Sequence, residues 1–127
     1  MAEMQTPLRK VRGLGAAREG TGHFWRVRVT SVALIVLSLY FLGFLISLNG
    51  AGYATVRAAL AQPFAALMMG LFVLVGLAHM RLGMQEIIED YIHAEGQKLV
   101  LLILSTFFCV AVGVASIFAL LKLTLGG

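Results

Sequence analysis

The sequence predicts an all-α integral membrane protein with three transmembrane helices, its N-terminus inside and its C-terminus outside. Three observations lead there. Hydrophobic residues make up 60% of the 127-residue chain and charged residues only 13%, about half the ~25% share usual in soluble domains. Three long runs carry no formal charge: Val29 to Val56, Ala58 to Met80 and Leu99 to Leu121. The Lys and Arg residues gather at one set of ends of those runs. A mean hydropathy of +0.93 excludes a disordered chain, a collagen-like chain and a soluble globular domain. A single cysteine excludes a disulfide framework and a cysteine-only metal site. No segment alternates apolar and polar residues for the ~10 positions a membrane β-strand needs. The net charge of +4 would suit nucleic acid in a soluble protein, but its placement beside apolar runs points to a membrane and to no nucleic acid.

Roughly 20 apolar residues, rising about 1.5 Å each, cross a hydrocarbon core of about 30 Å. The first span is expected over Val29–Leu48, ended by the turn residues Asn49-Gly50-Ala51-Gly52. Tyr53 to Gln62 suits a short interfacial helix with Arg57 among the headgroups. Pro63 opens the second span, because its missing N–H costs nothing in a first turn. That span reaches Met80 and continues as helix to about Tyr91, since only Gly83 interrupts the segment from Arg81 to His93. Gly96 is expected to separate it from the third span, Leu99–Leu121. The chain thus divides into a basic inner-surface segment, residues 1–28, and a three-helix transmembrane domain, residues 29–127.

Orientation follows from charge. Arg9, Lys10, Arg12, Arg18, Arg26 and Arg28 precede the first span, Arg81 and Lys98 lie between the second and third, and only Arg57 and Lys122 lie on the other side. The positive-inside rule puts the first group in the cytoplasm. Trp25 falls at the start of the first span, where an indole prefers the interface. The leader has neither an apolar h-region nor a cleavage pattern, so it is not read as a signal peptide. Its arginines would suit a mitochondrial transit peptide, but Glu3, Glu19 and its shortness favour a bacterial inner membrane protein.

One ionisable side chain falls well inside an apolar run. His79 lies ~24 Å along the second helix from Pro63, and polar residues at such depth are costly and mark function. At about 100° per residue, Phe72, Gly76, His79, Gly83, Glu86 and Asp90 share a face. Glycines a turn before and after the histidine leave room for something flat and large against the backbone, such as a haem held through the imidazole. They equally suit close helix packing, with His79 bonding to a neighbouring helix. A haem would need its second axial ligand from another subunit: His93 is ~21 Å further along, His23 precedes the first span, and Met68, Met69, Met80 and Met84 share the helix of His79. Tyr91, ~18 Å beyond His79, lies at headgroup depth. Its hydroxyl suits a lipophilic carbonyl ligand, and it equally suits the aromatic belt. Glu86 and Glu89 read as a solvated helix end. Arg28 suits a haem propionate or a headgroup-seeking topology charge. Ala111, Ala115 and Ala119 read as a packing face, and Cys109 as a buried structural thiol.

With these residues in view, the chain resembles a known family. The pattern of His79, Gly83 and Asp90-Tyr91 at fixed spacing, with Arg28-Val29-Thr30 opening the first span after a glycine-rich basic leader that ends Gly20-Thr21-Gly22-His23, is similar to the hydrophobic membrane anchor, or D chain, of succinate dehydrogenase, respiratory complex II. The segment at His23-Phe24 departs from the polar pair some members carry there. The resemblance implies that His79 is an axial ligand to the iron of haem b, with the other ligand on a second anchor subunit, the cytochrome b chain. It implies that Tyr91 hydrogen-bonds ubiquinone with Asp90 beside it, and that Arg28 lies near the haem propionates. It also implies an iron–sulfur subunit and a flavoprotein subunit docked at the inner surface. The chain would then be a non-catalytic subunit of a succinate:ubiquinone oxidoreductase. The rival reading is a cofactor-free small membrane protein, such as an assembly factor or transporter subunit.

Overall fold

The protein is described here by a computed structural model, which covers residues 6–13 and 22–126. Arg18 and Gly20-Thr21 of the basic leader lie outside the described residues. Five helices follow in order: α1 (Pro7–Arg12), α2 (Gly22–Ser47), α3 (Tyr53–Ala61), α4 (Pro63–Tyr91) and α5 (Glu95–Thr124). Among the described residues, α2, α4 and α5 are long and apolar enough to cross a membrane. All three expected spans are therefore present, and the short connector helix is too.

The boundaries differ from expectation in instructive ways. Helix α2 starts at Gly22, seven residues before Val29, so the division between residues 28 and 29 falls inside it. His23, Arg26 and Arg28 end the apolar run, but polarity marks the edge of the bilayer and not the end of a helix. The break between α4 and α5 comes at Ile92, whose backbone is extended (φ −102°, ψ 117°), and Ala94 is extended as well. Gly96 does not separate the two helices; it sits in the first turn of α5. Glu95 in that turn and Lys122 in the last one complement the helix dipole. The turn after α2 does use glycine as expected: Gly50 adopts φ +78°, a left-handed conformation that side chains disfavour. Gln62 is extended (φ −66°, ψ 135°), as the residue before a proline must be.

Helix α4 is the centre of the molecule. It packs on α2 along one side and on α5 along another, while among the described residues α2 and α5 do not pack on each other. The α4–α5 seam rests on missing side chains. A Cβ at Gly113 would lie 3.4 Å from Leu77 Cδ1, and one at Gly70 would lie 3.5 Å from Ile117 Cδ1. Cys109 is buried beside Gly113, as the thiol reading expected. Arg81 Nε adds a hydrogen bond to Thr106 Oγ1 at 3.1 Å.

The alanine stripe is a correction. Ala111, Ala115 and Ala119 are all exposed, because Gly113 and Ile117 face α4 and the alanines lie on the other side of α5. Most large apolar side chains are exposed as well, among them Ile46, Phe107 and Phe118. That would be untenable in water, but lipid tails are as apolar as leucine.

Candidate functional site

The α2–α4 seam holds the polar residues that the sequence singled out. Along α4 from its N-terminal half, Phe41 stacks on Phe72 with ring centroids 4.9 Å apart. One turn on, a Cβ at Gly76 would sit 3.8 Å from Leu34 Cδ2. Next, His79 Nδ1 lies 2.9 Å from Thr30 Oγ1. Two turns further, His23 Nε2 donates to Glu86 Oε1 at 2.7 Å. One face of α4 therefore lies along one face of α2 over the length of the seam. This is the face on which the periodicity placed Phe72, Gly76, His79 and Glu86.

The surroundings of His79 are asymmetric. Gly76 is covered by Leu34, so the first of the two flanking glycines serves helix packing. A Cβ at Gly83 would meet nothing within 4 Å, so only the second leaves open space. His79 itself is half-buried. Its Nδ1 is engaged by Thr30, and among the described residues none bonds Nε2. The packing and haem readings are thus not exclusive: one ring nitrogen bonds across to α2 and the other is available. Among the described residues no three His, Cys, Asp or Glu side chains gather into a group that could hold a metal ion. Beside the open space at Gly83, His79 is the one imidazole among the described residues, a donor that fits a haem with its second ligand on another chain.

The remaining candidates lie apart from His79. Tyr91 and Asp90 end α4, and both are exposed, Tyr91 to 76%. At about 100° per residue, Asp90 stays within about 20° of the His79 face while Tyr91 turns about 120° away. Arg28 lies over the Phe24 ring, 4.6 Å from its centroid, about 160° around α2 from Thr30. The structure therefore does not bring Arg28 to His79. Arg26, about 40° from Thr30, is the arginine on that side, with its Nε bonded to Gly22 O at 3.3 Å.

Sequence reasoning paired neither Thr30 with His79 nor His23 with Glu86, and it read Glu86 only as part of a solvated helix end. Thr30 is a polar residue just inside the first apolar run, which is a visible signal. The His23–Glu86 contact joins residues 63 positions apart, and periodicity within one helix cannot supply the rotation of another.

A chain of three apolar spans, with His79 inside the middle span at its seam with the first and an acidic, tyrosine-ended extension of that middle span, has the plan of a membrane subunit. Residues 2–113 match the family model for the succinate dehydrogenase/fumarate reductase transmembrane subunit. The chain belongs to that family, and it functions as a membrane anchor subunit in a complex with other chains. It is 37% identical over 121 residues to the succinate dehydrogenase hydrophobic membrane anchor subunit of Paracoccus denitrificans, covering 95% of this chain and 93% of the relative. The subunits of the same name from Rickettsia conorii and Rickettsia bellii are 31% and 30% identical, each over 87% of this chain and over 89% and 88% of theirs. With its three apolar helices and bacterial relatives, the chain is a bacterial multi-pass membrane protein.

Proposed function

We propose that this chain anchors a succinate:ubiquinone oxidoreductase to the cytoplasmic face of a bacterial inner membrane, contributes one axial ligand to haem b and helps bind ubiquinone. The observation that carries the reading is His79: half-buried at the α2–α4 seam, with Nδ1 engaged, Nε2 available and open space at Gly83. In this reading His79 would be a ligand to the haem iron, and the second ligand would come from the cytochrome b anchor chain. Bound haem would supply one-electron storage and transfer. For a propionate the resemblance implies Arg28, but the rotation of α2 favours Arg26; the proposal takes Arg26 as first partner and Arg28 as second. Tyr91 donates its hydroxyl hydrogen to a ubiquinone carbonyl, and Asp90 stands beside it.

The chain has no catalytic role alone. Its inner surface, rich in arginine and lysine, faces the iron–sulfur and flavoprotein subunits, and its apolar flanks face lipid and the second anchor. Purification of the membrane complex through a tag on this chain tests the assembly. The expected result is one further transmembrane chain, two soluble redox subunits and haem b in the same particle. Recovery of this chain as a homo-oligomer carrying its full haem, with no other chain present, would overturn the proposal.

A further inference from the structure

The hydroxyl of Thr30 is within bonding distance of three atoms: Arg26 O at 2.7 Å, Val27 O at 3.0 Å and His79 Nδ1 at 2.9 Å. A hydroxyl has one hydrogen and two lone pairs. Both carbonyl oxygens can only accept, and donation to the carbonyl four residues back is the usual mode of a helical threonine. With its hydrogen committed there, the oxygen has only lone pairs to offer His79. The hydrogen between Oγ1 and Nδ1 must then belong to the imidazole. A neutral imidazole has one N–H, so with that hydrogen on Nδ1 the lone pair resides on Nε2, the nitrogen without a partner among the described residues.

We propose that Thr30 is the positioning residue of His79: its hydroxyl accepts the Nδ1–H bond, fixes the ring against α2 and presents the Nε2 lone pair for ligation. This inference rests on the reading of His79 as a haem ligand. Imidazole ligands elsewhere owe orientation and basicity to an acceptor on their second nitrogen. Here that acceptor is contributed by a different helix, so the packing of α2 on α4 and the electronic character of the ligand depend on one hydrogen bond. The bond strengthens electron donation from His79 and so favours ferric over ferrous iron.

The test is a redox titration of haem b in the intact complex carrying Thr30→Val or Thr30→Ser. Valine keeps the branched shape and deletes the hydroxyl; serine keeps the hydroxyl and deletes the methyl. The Thr30→Val complex should show an upward shift of midpoint potential, equivalent to about a threefold to tenfold change in the ferrous-to-ferric ratio at the parent's midpoint. The upper end is about 59 mV for one electron. Thr30→Ser should restore the parent's value. Loss of haem in Thr30→Val with retention at the parent's potential in Thr30→Ser supports the same role. An unshifted potential in Thr30→Val, or a Thr30→Ser complex as altered as Thr30→Val, overturns it, because a packing role would favour valine over serine. His79→Ala measured alongside separates the two levels: an unchanged haem there removes the ligand reading itself, whereas an unshifted Thr30→Val with a His79-dependent haem removes only the role of Thr30.

Discussion

The hydroxyl of Tyr91 separates a quinone ligand from a residue of the aromatic belt, since both roles use the ring equally. Tyr91→Phe keeps the apolar area and the interfacial preference and deletes one donor. A hydrogen bond of this kind contributes about 0.5–1.5 kcal/mol net, and more is lost if a buried carbonyl stays unpaired. At about 1.4 kcal/mol per factor of ten, succinate–quinone turnover should fall several-fold or more in Tyr91→Phe. Electron delivery to a soluble acceptor that bypasses the quinone should be unchanged, and so should haem content. Equal quinone kinetics in variant and parent would leave Tyr91 as a belt residue. The exposure of Tyr91 and Asp90 in the single chain agrees with a site completed by other subunits. His79, by contrast, already has its partner within the chain.

At the scale of elements, the glycines of α4 and α5 divide into two kinds. Gly113 and Gly70 admit side chains of the facing helix, whereas Gly83 faces open space. A Cβ at Gly113 is tolerable at 3.4 Å from Leu77 Cδ1, but a branched chain there must push α4 and α5 apart. Overpacking of this sort costs about 1–3 kcal/mol. Gly113→Ile should therefore lower the thermal stability of the detergent-solubilised complex, with Gly113→Ala close to the parent. Gly83→Ile should keep the packing within the chain and lower haem content, because it fills the space beside His79. Normal stability in Gly113→Ile would contradict the seam as described. The spans themselves were legible from sequence, because hydrophobic length alone determines what can cross a bilayer. The second span was read to within a residue of its end, since Pro63 opens it and nothing between Arg81 and Tyr91 stops it. The start of α2 was not legible, because charge ended the apolar run while the helix went on. The packing face of α5 was misread for a related reason: Gly113, a gap, outcompetes the alanine stripe for contact with the leucines of α4.

For the whole molecule, one row of helices with α4 in the middle explains why His79 was readable and its partner was not. Depth along a helix follows from counting residues from Pro63, so a histidine well inside the second span was legible in the sequence. The rotation of α2 that sets Thr30 against His79 and His23 against Glu86 depends on contacts between distant segments, such as Phe41 on Phe72 and Leu34 at Gly76. In the proposed assembly the second ligand comes from another chain, because the other imidazole of the seam, His23, is held by Glu86 near the start of α2. The central claim is that this imidazole ligates haem b. The most direct measurement is the reduced-minus-oxidised optical spectrum of the purified complex carrying His79→Ala, with haem quantified per complex. The account predicts diminished haem b or a displaced b-type spectrum, in a chain that still inserts and assembles. Parental haem content together with a parental spectrum would contradict it.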